Sequence, residues 1–472
     1  MMEEQVGPKL RKVHFVGVGG VGTGTLAVAL SASGCEVTGS DQVLYEPMKS
    51  VLASANVYVT QGYSAAIAEK LDPDVVIIGN VIRRDNPEAM AWIQRGKKFI
   101  SFPEAVRIFL IEDRKSIVCA GTHGKTTTTS WIAFLLDRLG MQPSYLVGGV
   151  PLDLPSGCRL SAGNVFVGEG DEYDSAFFDK GPKFLHYKPD LLVLSNIEFD
   201  HADIYKDLAH VRSSFEKLIA ILPGDGVCIA RVDDPVVMEV ISGALCPVQS
   251  FGLATTAMWR LGKVVETTKG FEFEVIYKGR SVGTFKTPLF GEHNLLNLLS
   301  GIVCAINLGQ TMDRIRPVVE AFTGVRRRQE LCLESPIVLI DDFAHHPTEV
   351  SATLKGVRRR FPEGKLWAVF EPRSATARRN VHQEEYTKAF DSADHTLLAT
   401  PFKLDDVAQP ERLSTDQLAQ ALTASGKNAR TFPDSKAILD CLQKECRKGD
   451  IVVVMSNGEF DKIQEQIRRA FP

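Results

Sequence analysis

Two glycine-rich turns, each placed between a strand-like run and a helix-like run, constrain the fold of this chain more than any other feature. The first turn follows the apolar run that begins at Val13, and the second follows the run 116–120. A strand, a glycine turn and a helix in this order form one half of a βαβ unit, whose next strand is parallel to the first. The sequence therefore predicts an α/β protein with two ligand-binding turns.

The length and the alternation of strand and helix patterns predict three domains. The chain has 472 residues, and a domain usually has about 150. We expect domains over 1–112, 113–326 and 327–472, with hinges near 111–115 and 324–328. In the central domain, apolar alternation on both sides of the turn Lys278-Gly279 predicts an antiparallel hairpin, and hence a mixed sheet.

Charge and composition exclude several classes of function. Fifty-four Lys and Arg against 58 Asp and Glu give a net charge of −4, which disfavours nucleic acid as the main partner. No apolar run approaches the roughly 20 residues that span a bilayer, and the first ten residues lack the apolar core of a signal peptide. Nine scattered cysteines without a CxxC pair indicate reduced thiols. We expect a cytoplasmic protein without a membrane partner or an obligatory protein partner.

The first turn has the GxGxxG pattern of a nucleotide-binding loop. Gly17, Gly19, Gly20 and Gly22 lie in it, and Asp41 ends the next predicted strand. Glycines allow a pyrophosphate to approach the backbone, the following helix supplies amide donors, and the carboxylate can reach a ribose hydroxyl. This motif predicts a phosphate-bearing ligand but does not separate a nicotinamide dinucleotide from a UDP-sugar.

The second turn resembles a P-loop. It consists of Gly121, Thr122, His123, Gly124, Lys125, Thr126 and Thr127. Its amides can surround phosphate oxygens, while the lysine can neutralise the β and γ phosphates and the Thr126 hydroxyl can hold Mg²⁺. The strict GxxxxGK[ST] pattern fails only because Cys119 occupies the first glycine position.

Two acidic segments follow predicted strands of the central domain. EGDEYD begins at Glu169, and NIEFDH ends at His201. In a parallel arrangement both lie at the edge of the sheet that carries the second turn. Carboxylates with one imidazole suit Mg²⁺ beside a triphosphate, so Thr126, Glu169 and His201 are the candidate metal ligands. Loop solvation and helix capping account equally well for many of the other carboxylates.

Six motifs together resemble the Mur ligases, which form the amide bonds of peptidoglycan precursors with ATP. They are GTHGKTT, EGDEYD, NIEFDHADIY, GEHNLLNLLS, GVRRRQE and DDFAHHPTEV, in the order and spacing of that family. The resemblance covers nearly the whole chain. It implies a Rossmann-like UDP-binding domain, a P-loop ATPase domain with a mixed sheet, and a C-terminal Rossmann-like domain that closes on the nucleotide.

The resemblance also implies roles for individual residues. Lys125, His201 and Arg328 are the catalytic candidates, and Asn294 and Asn297 are expected at the adenine side of ATP. Arg328, with Arg327, and Asp342 would close on the nucleotide from the third domain, while the first glycine motif would hold UDP. For His345 and His346, helix capping is as good an explanation as a role in the site.

Within the family, two branches accept UDP-N-acetylmuramate itself: one adds L-alanine, and the other attaches the tripeptide L-alanyl-γ-D-glutamyl-meso-diaminopimelate through an acyl phosphate. The segments DEYDSAFFDKGPKFLHYKPD, EPRSATARR and VMSNGEF resemble the tripeptide branch, which implies peptidoglycan recycling. The alanine-adding activity remains the alternative. Two other classes are an NAD-dependent oxidoreductase, which leaves the second turn unexplained, and a non-catalytic nucleotide switch, which needs no sugar-nucleotide site.

Overall fold

The computed structural model of the protein describes residues 10–46, 48–267 and 269–472. Three α/β units, each built on its own main sheet, follow one another along this part of the chain. Residues 1–9, which contain nearly all of the segment considered for an export signal, lie outside the described residues.

The first unit is a five-stranded parallel sheet with the order β3-β2-β1-β4-β5. Its strands and helices are β1 (Lys12–Val16), α1 (Val21–Ala32), β2 (Glu36–Asp41), α2 (Met48–Ser54), β3 (Tyr58–Gln61), α3 (Ala65–Lys70), β4 (Val75–Ile78), α4 (Pro87–Gln94), β5 (Phe99–Ser101) and α5 (Phe102–Val106). The strand order reverses at β1, so a crevice opens beyond the carboxyl end of this strand. The first glycine turn lies there, as predicted.

The second unit has a ten-stranded mixed sheet with the order β17-β16-β15-β14-β13-β12-β6-β9-β7-β8. Its elements are β6 (Lys115–Ala120), α6 (Lys125–Arg138), β7 (Ser144–Leu146), β8 (Cys158–Arg159), β9 (Val165–Gly170), β10 (Asp174–Ala176), β11 (Asp179–Pro182), β12 (Leu191–Leu194), α7 (Leu208–Ala220), β13 (Val227–Arg231), α8 (Pro235–Ile241), β14 (Val248–Gly252), β15 (Trp259–Thr267), β16 (Gly270–Tyr277), β17 (Arg280–Thr287), α9 (Glu292–Asn307) and α10 (Met312–Ala321). Strands β16 and β17 form the predicted antiparallel hairpin. Strand β6 is parallel to both β9 and β12, so the second glycine turn and both acidic segments share one edge of the sheet.

The third unit has a six-stranded sheet with the order β18-β19-β23-β20-β21-β22. Its elements are β18 (Glu330–Leu333), β19 (Val338–Asp342), α11 (Pro347–Arg360), β20 (Leu366–Phe370), α12 (Tyr386–Ala389), β21 (His395–Ala399), α13 (Thr415–Ala424), β22 (Asn428–Phe432), α14 (Ser435–Glu445), β23 (Ile451–Met455) and α15 (Ile463–Ala470). Strand β18 alone pairs antiparallel in this sheet.

A two-stranded hairpin joins the first and second units. Strands β10 and β11 form it, and Phe177 and Phe178 lie at its tip. Both rings pack against the apolar cluster around β4 and α4 of the first unit, and Phe178 meets Phe99 edge to face with ring centroids 5.1 Å apart. A contiguous apolar cluster also contains side chains of β1 and β12, so the first two units share a core.

The cysteines behave as the sequence predicts. All nine are free thiols, and seven are buried. Burial raises the pKa of the Cys119 thiol to about 12, with a hydrogen bond from Thr129 opposing the shift. Among the described residues, no helix has the length and apolar character needed to cross a membrane.

The close packing of α6 against α9 in the core of the second unit can be tested by substitution. The two helices cross where Gly301 leaves room for the buried ring of Trp131, and a Cβ at Gly301 would collide with the indole nitrogen. We expect Gly301→Ala to destabilise the protein by about 1–3 kcal/mol through overpacking, although alanine is intrinsically favoured in helices by about 1 kcal/mol. Calorimetry should show a lower unfolding temperature. Gly224→Ala is the control, because a Cβ at that position meets open space; an unchanged melting point for Gly301→Ala would contradict the packing argument.

Candidate active site

The second glycine turn forms an open backbone loop that is held by the end of β12. The amides of Thr122 and His123 donate to the backbone oxygen and the side-chain oxygen of Asn196, at 2.9 and 2.8 Å. Gly121 has φ of 132° and lies so close to Ser195 that a Cβ would collide with the serine hydroxyl. Helix α6 begins at Lys125, within the second glycine turn, so its free amides point into the space where an anion would bind.

Lys125 is held across the mouth of this loop. Its Nζ donates to the carbonyl oxygens of Gly121 and Thr122, at 2.6 and 3.2 Å, and to a carboxylate oxygen of Glu172 at 3.0 Å. Burial on its own lowers the pKa of this lysine, but the charge of Glu172, followed by that of Asp171, outweighs burial and raises it. The ammonium group is therefore charged and oriented before a ligand arrives.

Glu172 was not among the candidate residues, although it lies in the EGDEYD segment after β9. Its side chain is 2% exposed and connects two predicted catalytic residues, since its other oxygen lies 3.3 Å from Nε2 of His201. Burial raises the pKa of Glu172, but Lys125 and His201 outweigh burial and lower it. In the sequence, the only indication of a role for Glu172 is that its segment follows a buried strand. Its pairing could not be predicted, because Lys125 and His201 lie 47 and 29 positions away along the chain.

Two of the three predicted metal ligands are in contact. The hydroxyl of Thr126 donates to Oε2 of Glu169 at 3.1 Å, and the amide of Gly148 donates to Oε1 at 2.5 Å. Burial, followed by the charge of Asp171, raises the pKa of Glu169 to about 7. A buried carboxylate beside a hydroxyl and near an anion-binding loop fits a hard divalent cation, which would compensate the buried charge. His201 faces the same cavity, but its partner in this structure is Glu172 rather than Glu169.

A cavity of about 350 Å³ lies between the loop, α9 and the hinge. Its walls contain most of the predicted nucleotide-binding side chains: His123, Gly124, Thr127, Asn294, Asn297, Arg328 and Asp342. The two asparagines are hydrogen-bonded to each other at 3.3 Å, and Asn294 also donates to Gln329 in the hinge at 3.2 Å. This arrangement connects the cavity to the segment that joins the second and third units.

The two hinge arginines have different positions. The guanidinium of Arg328 lies 4.7 Å from the ring centre of Phe343 and 3.5 Å from the hydroxyl of Thr126, so it faces the loop. Arg327 turns into the third unit, where it donates to the carbonyl oxygens of Ser456 and Gly458 at 2.6 and 2.7 Å. Arg327 also lines the larger cavity described below.

Asp342 lies at the end of β19 and organises the hinge. Its carboxylate accepts from the amides of Gln329 and Ala344 at 2.9 and 2.6 Å. Burial raises its pKa to about 6, and the nearby Arg328 opposes the shift.

Asp41 holds the first glycine turn in place through a hydrogen bond. The amide of Gly19 donates to Oδ2 of Asp41 at 2.7 Å, and Gly17 has φ of 88°. Gly20 caps α1, and Gly22 lies against the ring of Phe102. Because the Asp41 carboxylate already accepts from the loop, a contact of this residue with ribose stays a prediction.

The third unit contacts the second unit through a docking strip at 198–202. The hydroxyl of Thr348 donates to Glu198 at 2.7 Å, the amide of Ala202 donates to Thr376 at 3.0 Å, and Nε2 of His382 lies 3.1 Å from the carbonyl oxygen of Phe199. His346 is the N-cap of α11 and forms a capping box with Glu349, which confirms the capping interpretation.

A second cavity, of about 970 Å³, opens where all three units meet. The cavity is lined from the second unit and the hinge by Lys125, Thr126, Glu169, His201 and Arg328. Val21 at the start of α1 faces it from the first unit, while His345 and Arg468 face it from the third. The cavity therefore connects the two glycine turns.

Comparison with known families covers all three units. A model of the Mur ligase family catalytic domain matches residues 12–114, the Mur ligase middle domain matches 119–305, and the Mur ligase glutamate ligase domain matches 326–458. The chain belongs to the Mur ligase family. The predicted α/β, three-domain Mur ligase architecture is thus confirmed.

Relatives that match over nearly their full length include ligases named for the tripeptide and ligases named for L-alanine. The chain is 35% identical to the UDP-N-acetylmuramate–L-alanyl-γ-D-glutamyl-meso-2,6-diaminoheptandioate ligase of Escherichia coli, over 97% of each chain. It is 31% identical to the UDP-N-acetylmuramate–L-alanine ligase of Acetivibrio thermocellus, over 97% of this chain and 95% of the relative. A crystal structure of a murein peptide ligase from Psychrobacter arcticus superposes with a TM-score of 0.71 at 29% identity, covering 97% of this chain and 98% of that one.

Removing one contact of the docking strip should change how often the third unit is docked. Thr376 is 3% exposed, and Thr376→Val removes the acceptor of the Ala202 amide. A lost hydrogen bond of about 1 kcal/mol corresponds to about a fivefold lower ratio of docked to undocked molecules. Small-angle X-ray scattering should show a larger radius of gyration. Thr423→Val, which alters a hydroxyl inside α13, is the control; equal radii for both variants would rule out a role for Thr376 in docking.

Proposed function

We propose that the protein is an ATP-dependent ligase that joins UDP-N-acetylmuramate to the tripeptide L-alanyl-γ-D-glutamyl-meso-diaminopimelate. One observation carries the proposal: the P-loop residues Lys125 and Thr126 open into a cavity that also reaches the first glycine turn. A triphosphate on one loop and a sugar nucleotide on the other would therefore meet in that cavity. The 35% identity to a ligase named for these substrates supports the same assignment.

The reaction begins with activation of a carboxylate, which does not condense with an amine in water at a useful rate. A lactyl carboxylate oxygen attacks the γ phosphorus of ATP in line, the bond to the β–γ bridging oxygen breaks, and ADP leaves. The amine of the tripeptide then attacks the acyl carbon, inorganic phosphate leaves with the C–O bond electrons, and the nitrogen loses a proton. Both steps need the reactants to be oriented in one closed cavity, which is worth several kcal/mol (~7–11).

Lys125 supplies positive charge to the transferring phosphoryl group. Its contacts with two loop carbonyls and Glu172 fix the ammonium group before ATP binds, so little reorganisation is required. The free amides at the start of α6 hold the phosphate oxygens, and Arg328 approaches from the hinge. In this scheme, His201 lies beside the reacting groups with its imidazole oriented by Glu172.

Thr126 and Glu169 are the residues that would hold Mg²⁺, with His201 on the same cavity. The bound ion would neutralise charge on the phosphate oxygens. Asn294, Asn297 and Asp342 would hold the adenosine side of ATP, and Gly17, Gly19, Gly20 and Gly22 would hold the UDP diphosphate.

Similarity to tripeptide-adding ligases favours a peptide over a single amino acid as the acceptor. Two relatives named for that activity are 35% and 32% identical to the chain. Addition of L-alanine is the second candidate, and it is favoured by relatives at 31–34% identity. With the tripeptide as acceptor, we propose a cytoplasmic role in peptidoglycan recycling. We also propose that the domain boundaries lie at 112/113 and 326/327.

The acceptor assay separates the two candidates. Purified protein receives UDP-N-acetylmuramate, ATP and Mg²⁺ with either L-alanine or the tripeptide, and ADP release is followed. We expect ADP release with the tripeptide and little with L-alanine. The reverse preference would reject the peptide assignment in favour of alanine addition, and absence of turnover with both acceptors would reject the ligase assignment.

Lys125→Ala tests the role of the loop. Loss of one preorganised charge at the transferring group should reduce ADP formation by about 10²–10³-fold, while UDP-sugar binding by calorimetry stays nearly unchanged. Lys217→Ala, at an exposed position on α7, is the matched control. Wild-type turnover in Lys125→Ala would remove the lysine from the mechanism.

A further inference from the structure

Three side chains that the proposed reaction does not use as metal ligands come together at the boundary of the second and third units. His123 belongs to the P-loop, Glu198 begins the docking strip after β12, and His346 caps α11. One ligand atom from each residue lies within 4.8 Å of the other two. We call these residues the His-Glu-His cluster.

Two of the three distances within the cluster match the spacing of ligands around a small cation, and the third is no longer than 4.8 Å. Nε2 of His123 and Nδ1 of His346 lie 3.1 and 3.2 Å from the same oxygen, Oε2 of Glu198. In a tetrahedral zinc site with bonds of about 2.0–2.1 Å, neighbouring ligand atoms are about 3.3 Å apart. Two imidazoles and one carboxylate, with an open fourth position, are a common donor set for that geometry.

His346 faces the cluster with its Nδ1. This nitrogen accepts a long hydrogen bond of 3.3 Å from the amide of Thr348, which a metal ion on the same lone pair would replace. The carboxylate oxygen of Glu198 faces the same nitrogen at 3.2 Å, which brings two acceptors together. His346 is 6% exposed, and its Nε2 has no hydrogen-bond partner among the described residues. Oε2 of Glu198 also accepts from the hydroxyl of Thr348 at 2.7 Å, so an ion bound in the cluster would replace existing hydrogen bonds.

We propose that the His-Glu-His cluster is a binding site for a divalent transition-metal ion of the zinc class. Its two nitrogen donors distinguish it from the hydroxyl and carboxylate oxygens of Thr126 and Glu169, because imidazole favours Zn²⁺, Co²⁺ and Ni²⁺ over Mg²⁺. His123 and Glu198 belong to the second unit, and His346 belongs to the third. A bound ion therefore holds the third unit in its docked position against the wall of the nucleotide cavity.

Cobalt is the probe, since Co²⁺ replaces zinc and the intensity of its visible absorption distinguishes a tetrahedral site from an octahedral one. The full-length, tag-free chain is titrated with Co²⁺ in millimolar Mg²⁺, so that the oxygen ligands near Thr126 are occupied by Mg²⁺. We expect one Co²⁺ per chain with d–d absorption, and a smaller radius of gyration in small-angle scattering on binding. His346→Asn should weaken this binding by at least about 100-fold, since loss of a residue that merely supports a ligand already costs 10–100-fold.

His346→Asn is suited to the test because asparagine is a preferred N-cap, so α11 keeps its start while the imidazole is lost. Glu198→Gln removes the carboxylate from the other unit and should weaken Co²⁺ to a similar extent. His210→Asn, at an exposed position on α7, should bind Co²⁺ like the wild type. Equal Co²⁺ stoichiometry and absorption in the wild type and His346→Asn would overturn the proposal, as would the absence of Mg²⁺-resistant Co²⁺ binding to the wild type. Neither result depends on turnover, so the ligase proposal stands or falls separately.

Discussion

The contact between the P-loop and the end of β12 is the constraint on which the rest of the site depends. Within the loop, Lys125 bonds the carbonyl oxygens of Gly121 and Thr122, and the backbone amides at the start of the loop need an acceptor from another element. Asn196 supplies it with both its backbone and its side chain, while Ser195 donates to the carbonyl oxygen of His123. The residues that follow form the docking strip, so one short segment contacts both the second glycine turn and the third unit.

Charged side chains in the site are paired with each other because they are buried. Lys125, Glu169 and Glu172 are all removed from water, and an unpaired ion there would cost several kcal/mol (~3–5). Lys125 and Glu172 satisfy each other, and His201 shares the remaining oxygen of Glu172. Glu169 has only neutral partners in Thr126 and Gly148, so it is the carboxylate that gains most from a cation.

Sequence patterns predicted those parts of the protein that are determined by local periodicity and motif. The parallel strands before both glycine turns, the hairpin around Lys278-Gly279 and the common edge of the two acidic segments all follow from such patterns. The edge strands β18 and β22 have no clear apolar signal in the sequence, because they are short and half-exposed.

The missed features of the site depend on contacts between distant residues. Glu172 is one carboxylate among several in its segment, and only the fold shows that it lies between Lys125 and His201. Likewise, Arg327 and Arg328 are equivalent in the sequence. Arg327 has a positive φ of 57°. Its side chain faces the third unit, whereas the side chain of Arg328 faces the second glycine turn.

The β10–β11 hairpin has a mechanical consequence. It follows the acidic segment at the edge of the sheet that carries the second glycine turn, and it buries Phe178 beside Phe99 in the neighbouring unit. The first unit is therefore packed against the second by apolar contacts, in addition to the core that the two units share. These contacts fix the separation between the two glycine turns.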